Sequence, residues 1–111
     1  MFNYTLTQKD SLATVLLSGD MDIDVTEILQ EDLAPKLRGA ASIELDFSQV
    51  DFVDSSGIGL LITLIKDLKA QGIKVLIRNL SPEVEYVFSL LQLPLILGDD
   101  VFETPAKAGE Q

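Results

Sequence analysis

The stretch "VDFVDSSGIGLLITLIKDLKAQG", residues 50–72, passes from an extended run into a helical repeat, and two aspartates and two serines crowd the turning point. Downstream of the serines, apolar residues recur at three- and four-residue intervals, which predicts a helix over 56–71. Gly72 stands where a left-handed cap would end it. The compact run "IKVLIRNL" (73–80) follows as a buried strand, and "SIELDFSQV" (42–50) precedes the junction. In the latter Ile43, Leu45 and Phe47 share one face and Glu44, Asp46 and Ser48 the other. Strand, helix and strand in this order call for parallel pairing through a right-handed crossover.

Working outward, "FNYTLTQ" (2–8) and "LATVLLSG" (12–19) are rich in β-branched and aromatic residues and flank the turn-forming "KDS", so they predict an antiparallel hairpin. Val25, Ile28, Leu29, Leu33 and Leu37 then recur at helical spacing, with Asp24 or Thr26 as candidate cap and Gly39 as a stop. Pro35 lies inside that pattern and lacks an N–H, so a kink or break is expected there. Ser81 and Pro82 fit the N-cap and first position of a further helix, whose apolar stripe is Val84, Val87, Phe88 and Leu91. "PLIL" (94–97) is expected to add a short last strand. The order is therefore β-β-α-β-α-β-α-β, a single α/β domain over 1–100, with 101–111 as a polar, frayed tail.

Composition narrows the function. The 111 residues include no cysteine and no histidine, which removes disulfides, thiolate and imidazole metal ligands, and any Ser-His or Cys-His dyad. Eighteen acidic against eight basic residues give a formal charge of −10. Such a surface repels phosphate backbones and anionic lipid, so neither nucleic acid nor membrane is expected as a partner. The N-terminus has no signal-like arrangement, and no apolar stretch approaches the roughly 20 residues that span a bilayer. A cytoplasmic monomer is expected.

Several readings compete for Asp54, Ser55 and Ser56. One is helix capping, worth roughly 1 kcal/mol, although a cap needs only one of the three. Gly57 and Gly59 supply two positions of G-x-G-x-x-G, but Ile62 occupies the third. No Gly-Lys-Ser/Thr follows for a phosphate-binding loop, and no G-x-S-x-G for a nucleophile elbow. Another reading is covalent modification of a serine. A phosphate at a helix N-terminus meets unpaired N–H groups and the positive end of the helix dipole, so the fold tolerates it. It would still add about −1.5 to −2 charges to whatever surface a partner touches. On a helical wheel the apolar positions from Ile58 to Leu68 cover about 200°, whereas packing on a sheet needs about 100°. Either the helix is buried between the sheet and a neighbouring helix, or one edge, Leu60 and Leu64, stays exposed as a docking stripe. A trio of acids, Asp20, Asp22 and Asp24, follows the second strand. It reads either as a solvated loop or as part of a basic partner's docking face.

"VDFVDSSGIGLL" (50–61), "IKVLIRNLSPEVEYVF" (73–88) and "LSGDMDID" (17–24) together resemble the STAS domain of bacterial anti-sigma factor antagonists, over roughly residues 4–98. The resemblance implies a mixed, mainly parallel sheet with helices packed mostly on one side. It implies a protein that, unphosphorylated, binds an anti-sigma factor of the histidine-kinase-like class and so frees a sigma factor. The anti-sigma factor would be the serine kinase that inactivates its antagonist, and a PP2C-type phosphatase would reverse the modification. Carried over, the acceptor is Ser55, with Asp54 and Ser56 beside it and Asp22 near the kinase-binding face. ATP and magnesium would belong to the kinase, leaving this chain without cofactor, metal or catalytic residue of its own. Two departures stand out: Gln92 replaces the glycine that usually ends the third helix, which predicts a differently built turn, and "VFETPAKAGEQ" (101–111) lacks the periodicity of a closing helix, so at most a turn or two is expected near Val101 and Phe102. The same resemblance admits a constitutive STAS subunit of a stress-signalling or lipid-transport complex.

Overall fold

The computed structural model describes residues 2–22 and 27–102. Strands β1 (Asn3–Lys9) and β2 (Leu12–Met21) form the expected hairpin, with Lys9 opposite Leu12, so Asp10 and Ser11 alone turn the chain. A π-helical segment, Glu27–Leu33, then runs straight into the short helix α1 (Ala34–Leu37). The expected disturbance at Pro35 takes the form of this change in winding, just ahead of a ring that cannot lie under a carbonyl four residues back. Asp24 and Thr26, the candidate caps, lie outside the described residues. Strand β3 (Ser42–Val53), helix α2 (Ser55–Ala70) and strand β4 (Lys74–Arg78) follow. Helices α3 (Pro82–Leu90) and α4 (Leu93–Leu97) and a 3-10 turn, Asp99–Val101, complete the described chain.

The sheet order is β1-β2-β3-β4, with β1 antiparallel to β2 and the other neighbours parallel. Ala13, Val15 and Leu17 of β2, Ile43, Leu45 and Phe47 of β3, and Val75 and Ile77 of β4 are buried on one face. The helices supply Leu29, Leu33, Leu37, Ile58, Leu61, Ile65, Leu68, Val84, Phe88, Leu93 and Leu97 to the same core. Each such side chain contributes roughly 1.5–3 kcal/mol through burial. Phe88 packs edge-on against Phe47, centroids 5.7 Å apart, and against Phe102 at 6.2 Å. The opposite face is mostly polar; there Arg78 Nη1 donates to Glu44 Oε1 at 3.1 Å. The architecture is thus the α/β fold expected, a mixed and mainly parallel sheet with its helices on one side.

Helix α2 ends as anticipated. Gly72 takes φ +84°, its N–H bonds Lys69 O at 2.9 Å, and Ile73 N–H bonds Leu68 O at 3.1 Å. This pair of bonds returns two orphan carbonyls to partners while Leu68 and Ile73 meet in the core. Ser81 caps α3, its Oγ accepting from Val84 N at 3.2 Å, with Pro82 in the first turn.

Three expectations need correction. Residues 94–97 are not a strand: "PLIL" lies in α4, because Leu93 and Leu97, four apart, both reach the core from a single helical turn. A single parallel bridge, Ile77 with Phe102, stands beside β4 instead. The boundary at 100 also falls short, since Val101 is buried and Phe102 pairs; from 103 the tail lies outside the described residues. Finally, the turn at Gln92 is built as a glycine would build it. Gln92 has φ 60° and ψ 37°, and its N–H bonds Ser89 O at 3.0 Å. The left-handed conformation places Cβ against a carbonyl oxygen and costs roughly 1–2 kcal/mol.

The hairpin is tied to the first helix by a polar cluster. Tyr4 donates its hydroxyl proton to Asp32 Oδ2, and Lys36 Nζ donates to Tyr4 Oη at 3.0 Å and reaches Asp32 Oδ2 at 3.5 Å. The tyrosine's donation, helped by the charge of Lys36, holds the Asp32 carboxyl below the ordinary aspartate range. Since the folded value is the lower one, the contribution is present above the ordinary aspartate pKa and fades as pH falls through the folded value. Both charged side chains are about half exposed, so its size is small.

Two outcomes follow from these contacts. Gln92→Gly should raise stability by about 0.5–1 kcal/mol, read as a higher urea midpoint at unchanged m-value, because the side chain makes no cap bond that would be lost. Tyr4→Phe should shift the Asp32 carboxyl titration, followed by NMR, upward toward the ordinary range; an unmoved midpoint would show that the hydroxyl does not hold the carboxylate.

Candidate functional site

The junction singled out in the sequence sits where β2 and β3 end side by side. Met21 pairs with Val53, and the next residue, Asp54, donates its N–H to Met21 O at 3.0 Å. This bond anchors the start of α2 to the end of β2. Asp54, extended at φ −117° and ψ 175°, is the N-cap: its Oδ1 accepts from Gly57 N at 2.9 Å, and its carbonyl accepts from Ile58 N at 2.9 Å. One residue therefore does the capping. Ser55 and Ser56 occupy the first two helical positions, both exposed, and no described residue bonds either hydroxyl.

Gly57 explains why the helix can start here at all. A Cβ at this position would lie 2.4 Å from Met21 O and 2.6 Å from Met21 C, so only a glycine lets α2 rest on the β2 backbone. Gly59 is different: nothing lies within 4 Å of a Cβ there. The two glycines that partly match a dinucleotide motif are thus one packing requirement and one exposed helix position.

The surroundings are acidic. Asp20 and Asp51 are exposed, and Asp22 is half-buried at the bend directly after β2. Neither segment feeding this end, 10–35 or 39–65, contains a lysine or arginine. Hence Asp20, Asp22, Asp51 and Asp54 lie on the segments that meet at the end of the sheet where α2 begins, and those segments carry no lysine or arginine. Asp24 lies outside the described residues. Counterbalancing this charge locally, the sixteen-residue helix α2 presents its positive end at Ser55 and has no acid in its first turn.

Leu60 and Leu64 part company. Leu60 is half-buried one turn beyond the serines, but Leu64 is only 3 % exposed, which removes it from any docking stripe. The cause is that α2 is flanked on one side by the π-helical segment and on the other by α4, so its apolar arc is covered beyond the width a sheet alone would hide. Its exposed side carries Ser55, Ser56, Gly59, Thr63, Lys66 and Asp67.

One residue escaped the sequence reading. Phe52 is 54 % exposed and pairs across the ladder with Asp20. Two register shifts on β3, opposite Leu16/Ser18 and Gly19/Asp20, each insert an extra residue, so the buried positions run Phe47, Val50, Val53. The second bulge turns Val53 inward and leaves Asp51 and Phe52 facing water. The signal was present: alternation continued from Ile43 already puts Phe52 on the outward parity.

The assembled site is a serine hydroxyl at a helix N-terminus that no described residue bonds, at the end of the sheet where the strand ends carry acids and an exposed aromatic. Among the described residues no group of three or more acids could hold a metal ion, and no helix is long and apolar enough to cross a membrane.

Comparison with known proteins gives a consistent picture. Residues 3–108 match the family model of the STAS domain. The chain is 26% identical over 106 residues to the anti-sigma-B factor antagonist of Bacillus subtilis, covering 96% of this chain and 93% of that one. It is 36% identical over 81 residues to the intermembrane phospholipid transport system binding protein MlaB of Escherichia coli, covering 73% and 81% respectively. The structure of the Bacillus cell fate determinant SpoIIAA in its phosphorylated form superposes with a TM-score of 0.67 at 23% identity, covering 96% of both chains.

Gly57→Ala should destabilise the domain by about 1–3 kcal/mol or displace α2, because the clash is with backbone that cannot rotate away. Gly59→Ala should instead stabilise it by about 0.5–1 kcal/mol through helix propensity. Thermal unfolding of the two variants separates a packing glycine from a phosphate-cradling pair, which would make both replacements equally harmless to the fold.

Proposed function

The chain belongs to the STAS domain family, and from that premise we propose that it is an anti-sigma factor antagonist whose binding is switched by phosphorylation of Ser55. The observation that carries this reading is the exposed Ser55 hydroxyl, released from capping duty by Asp54 and set at the first position of α2. A phosphoryl group there is stabilised by the free N–H groups of the first turn, so modification leaves the fold intact. The same dianion adds about −1.5 to −2 charges to a face already bearing Asp20, Asp22, Asp51 and Asp54. A partner seated on Asp22, Asp54, Ser55, Ser56, Phe52 and the edge of Leu60 would have to bury that charge, and is released.

The partner in this reading is an anti-sigma factor that is itself the serine kinase, with a PP2C-type phosphatase restoring the binding form. Both would act in the cytoplasm, and ATP and magnesium would be theirs. The role is binding rather than catalysis, in keeping with a chain that has neither histidine nor cysteine.

A second reading has a specific observation in its favour, the 36% identity to the MlaB binding protein. There the chain would be a constitutive subunit of a lipid-transport complex, docked through the same end of the domain and indifferent to phosphate.

Incubation with the cognate kinase, ATP and magnesium should place one phosphoryl group on Ser55, located by mass spectrometry. Ser55→Ala should block the modification while retaining partner binding. Ser55→Asp should weaken binding by at least about tenfold, the scale of an uncompensated charge at an interface. Undiminished binding by the Asp variant, together with stable co-purification with a transporter, would select the constitutive subunit instead.

A further inference from the structure

A second surface, on a different pair of helices from Ser55, has the marks of a docking site. Helix α3 buries Val84 and Phe88 against the sheet, yet on its other side Tyr86 is 65% and Leu90 62% exposed, one turn apart. Past the left-handed turn at Gln92, α4 buries Leu93 and Leu97 and turns Leu95, 79% exposed, and Ile96, 43% exposed, outward. Leu91 joins them at 40%. Gln92 joins the two helices at this corner: its N–H bonds Ser89 O of α3 at 3.0 Å, and its carbonyl accepts from the N–H groups of Leu95 and Ile96 in α4 at 3.0 Å. Among the large apolar side chains exposed in the described residues, only Leu12 and Phe52 lie outside this corner. Core packing does not require these residues to be apolar, and patches of this kind mark interaction surfaces.

Charge selects the occupant. From Asn79 to Ala106 the sequence has Glu83, Glu85, Asp99, Asp100 and Glu103 and no lysine or arginine; Lys69 of α2 bonds Leu97 O at 2.8 Å and reaches Asp100 Oδ1 at 3.5 Å, so the acidic rim of the corner is Glu83 and Glu85. Glu83 and Glu85 are exposed on the first turn of the same helix as Tyr86 and Leu90. A second copy of this chain would bring two such acidic segments, on molecules of charge −10, against each other. Anionic lipid is repelled for the same reason. The chain's own residues 103–111 include no leucine, isoleucine, valine or aromatic side chain with which to fill the corner. We propose that the α3–α4 corner binds an amphipathic helix of another protein, apolar on one face and flanked by lysine or arginine. Its apolar face lies on Tyr86, Leu90 and Leu95, and its basic flank meets Glu83 and Glu85.

The test uses the full 111-residue chain and a synthetic amphipathic leucine–lysine helix, with a scrambled peptide of the same composition as control. Calorimetry should give saturable one-to-one binding of the amphipathic peptide, with NMR shifts centred on residues 86–96. Leu90→Gln with Leu95→Gln should weaken it at least about tenfold, as for truncated interface anchors. Glu83→Gln with Glu85→Gln should also weaken it, and this pair keeps the test decisive if the first variant misfolds. Equal binding of the scrambled peptide, or shifts spread over the whole acidic surface, would overturn the proposal. So would a dimer in sedimentation equilibrium that the leucine replacements dissolve, or binding of neutral phosphatidylcholine vesicles through the same leucines.

Discussion

The bond from Asp54 N–H to Met21 O, with Gly57 lying on the Met21 backbone just beyond it, sets the geometry on which the other features depend. It brings the end of the central strand β2 and the start of the longest helix into direct contact. Because Met21 also pairs with Val53, the three elements meet at one point. From there α2 runs back across the sheet with Ile58, Leu61, Leu64, Ile65 and Leu68 turned into the core. A helix set about 0.5–1 Å farther out would forfeit roughly a quarter to a half of the dispersion attraction along this line.

The same contact arranges the chemistry of the site. Asp54 is held extended by its bond to β2, and in that conformation its carboxylate reaches Gly57 N. The orphan donor that a serine would otherwise have capped is satisfied, so neither serine hydroxyl is bonded by a described residue at the positive end of the helix dipole. The bulges in β3 complete the arrangement by turning Asp51 and Phe52 outward beside Asp20. A family resemblance names a serine; the local hydrogen bonds explain why that serine is available.

The sheet divides the molecule into a covered face and an open one, and the helices divide again into sides that serve the core and sides that do not. On α2 the outward side is polar, whereas α3 and α4 expose Tyr86, Leu90, Leu95 and Ile96 beside Glu83 and Glu85. Two different kinds of surface are thereby presented: an acidic, hydroxyl-bearing end at α2 and an apolar corner rimmed by glutamates at α3–α4.

Elements with a strong local signal were legible in the sequence. The hairpin, the alternation of Ile43, Leu45 and Phe47, the Gly72 cap and the Ser81-Pro82 helix start each rest on residues whose backbone preference is expressed within a few positions. Four apolar or proline residues at 94–97 carry no period of their own, so strand and helix could be separated only by what Leu93 and Leu97 pack against. Gln92 adopts the glycine conformation because the α3–α4 contacts and the buried Leu93 outweigh its local strain.

By itself, then, the sequence determined the α/β class, the junction at Asp54, Ser55 and Ser56, and the acidic character of the chain, because periodicity, capping chemistry and net charge are local or additive properties. Tertiary structure alone decided which of the three junction residues caps, that Leu64 is buried while Tyr86, Leu90, Leu91, Leu95 and Ile96 are not, and that β2 ends beside the start of α2. Burial and proximity depend on what the rest of the chain places alongside a residue, and no window of sequence contains its own neighbours.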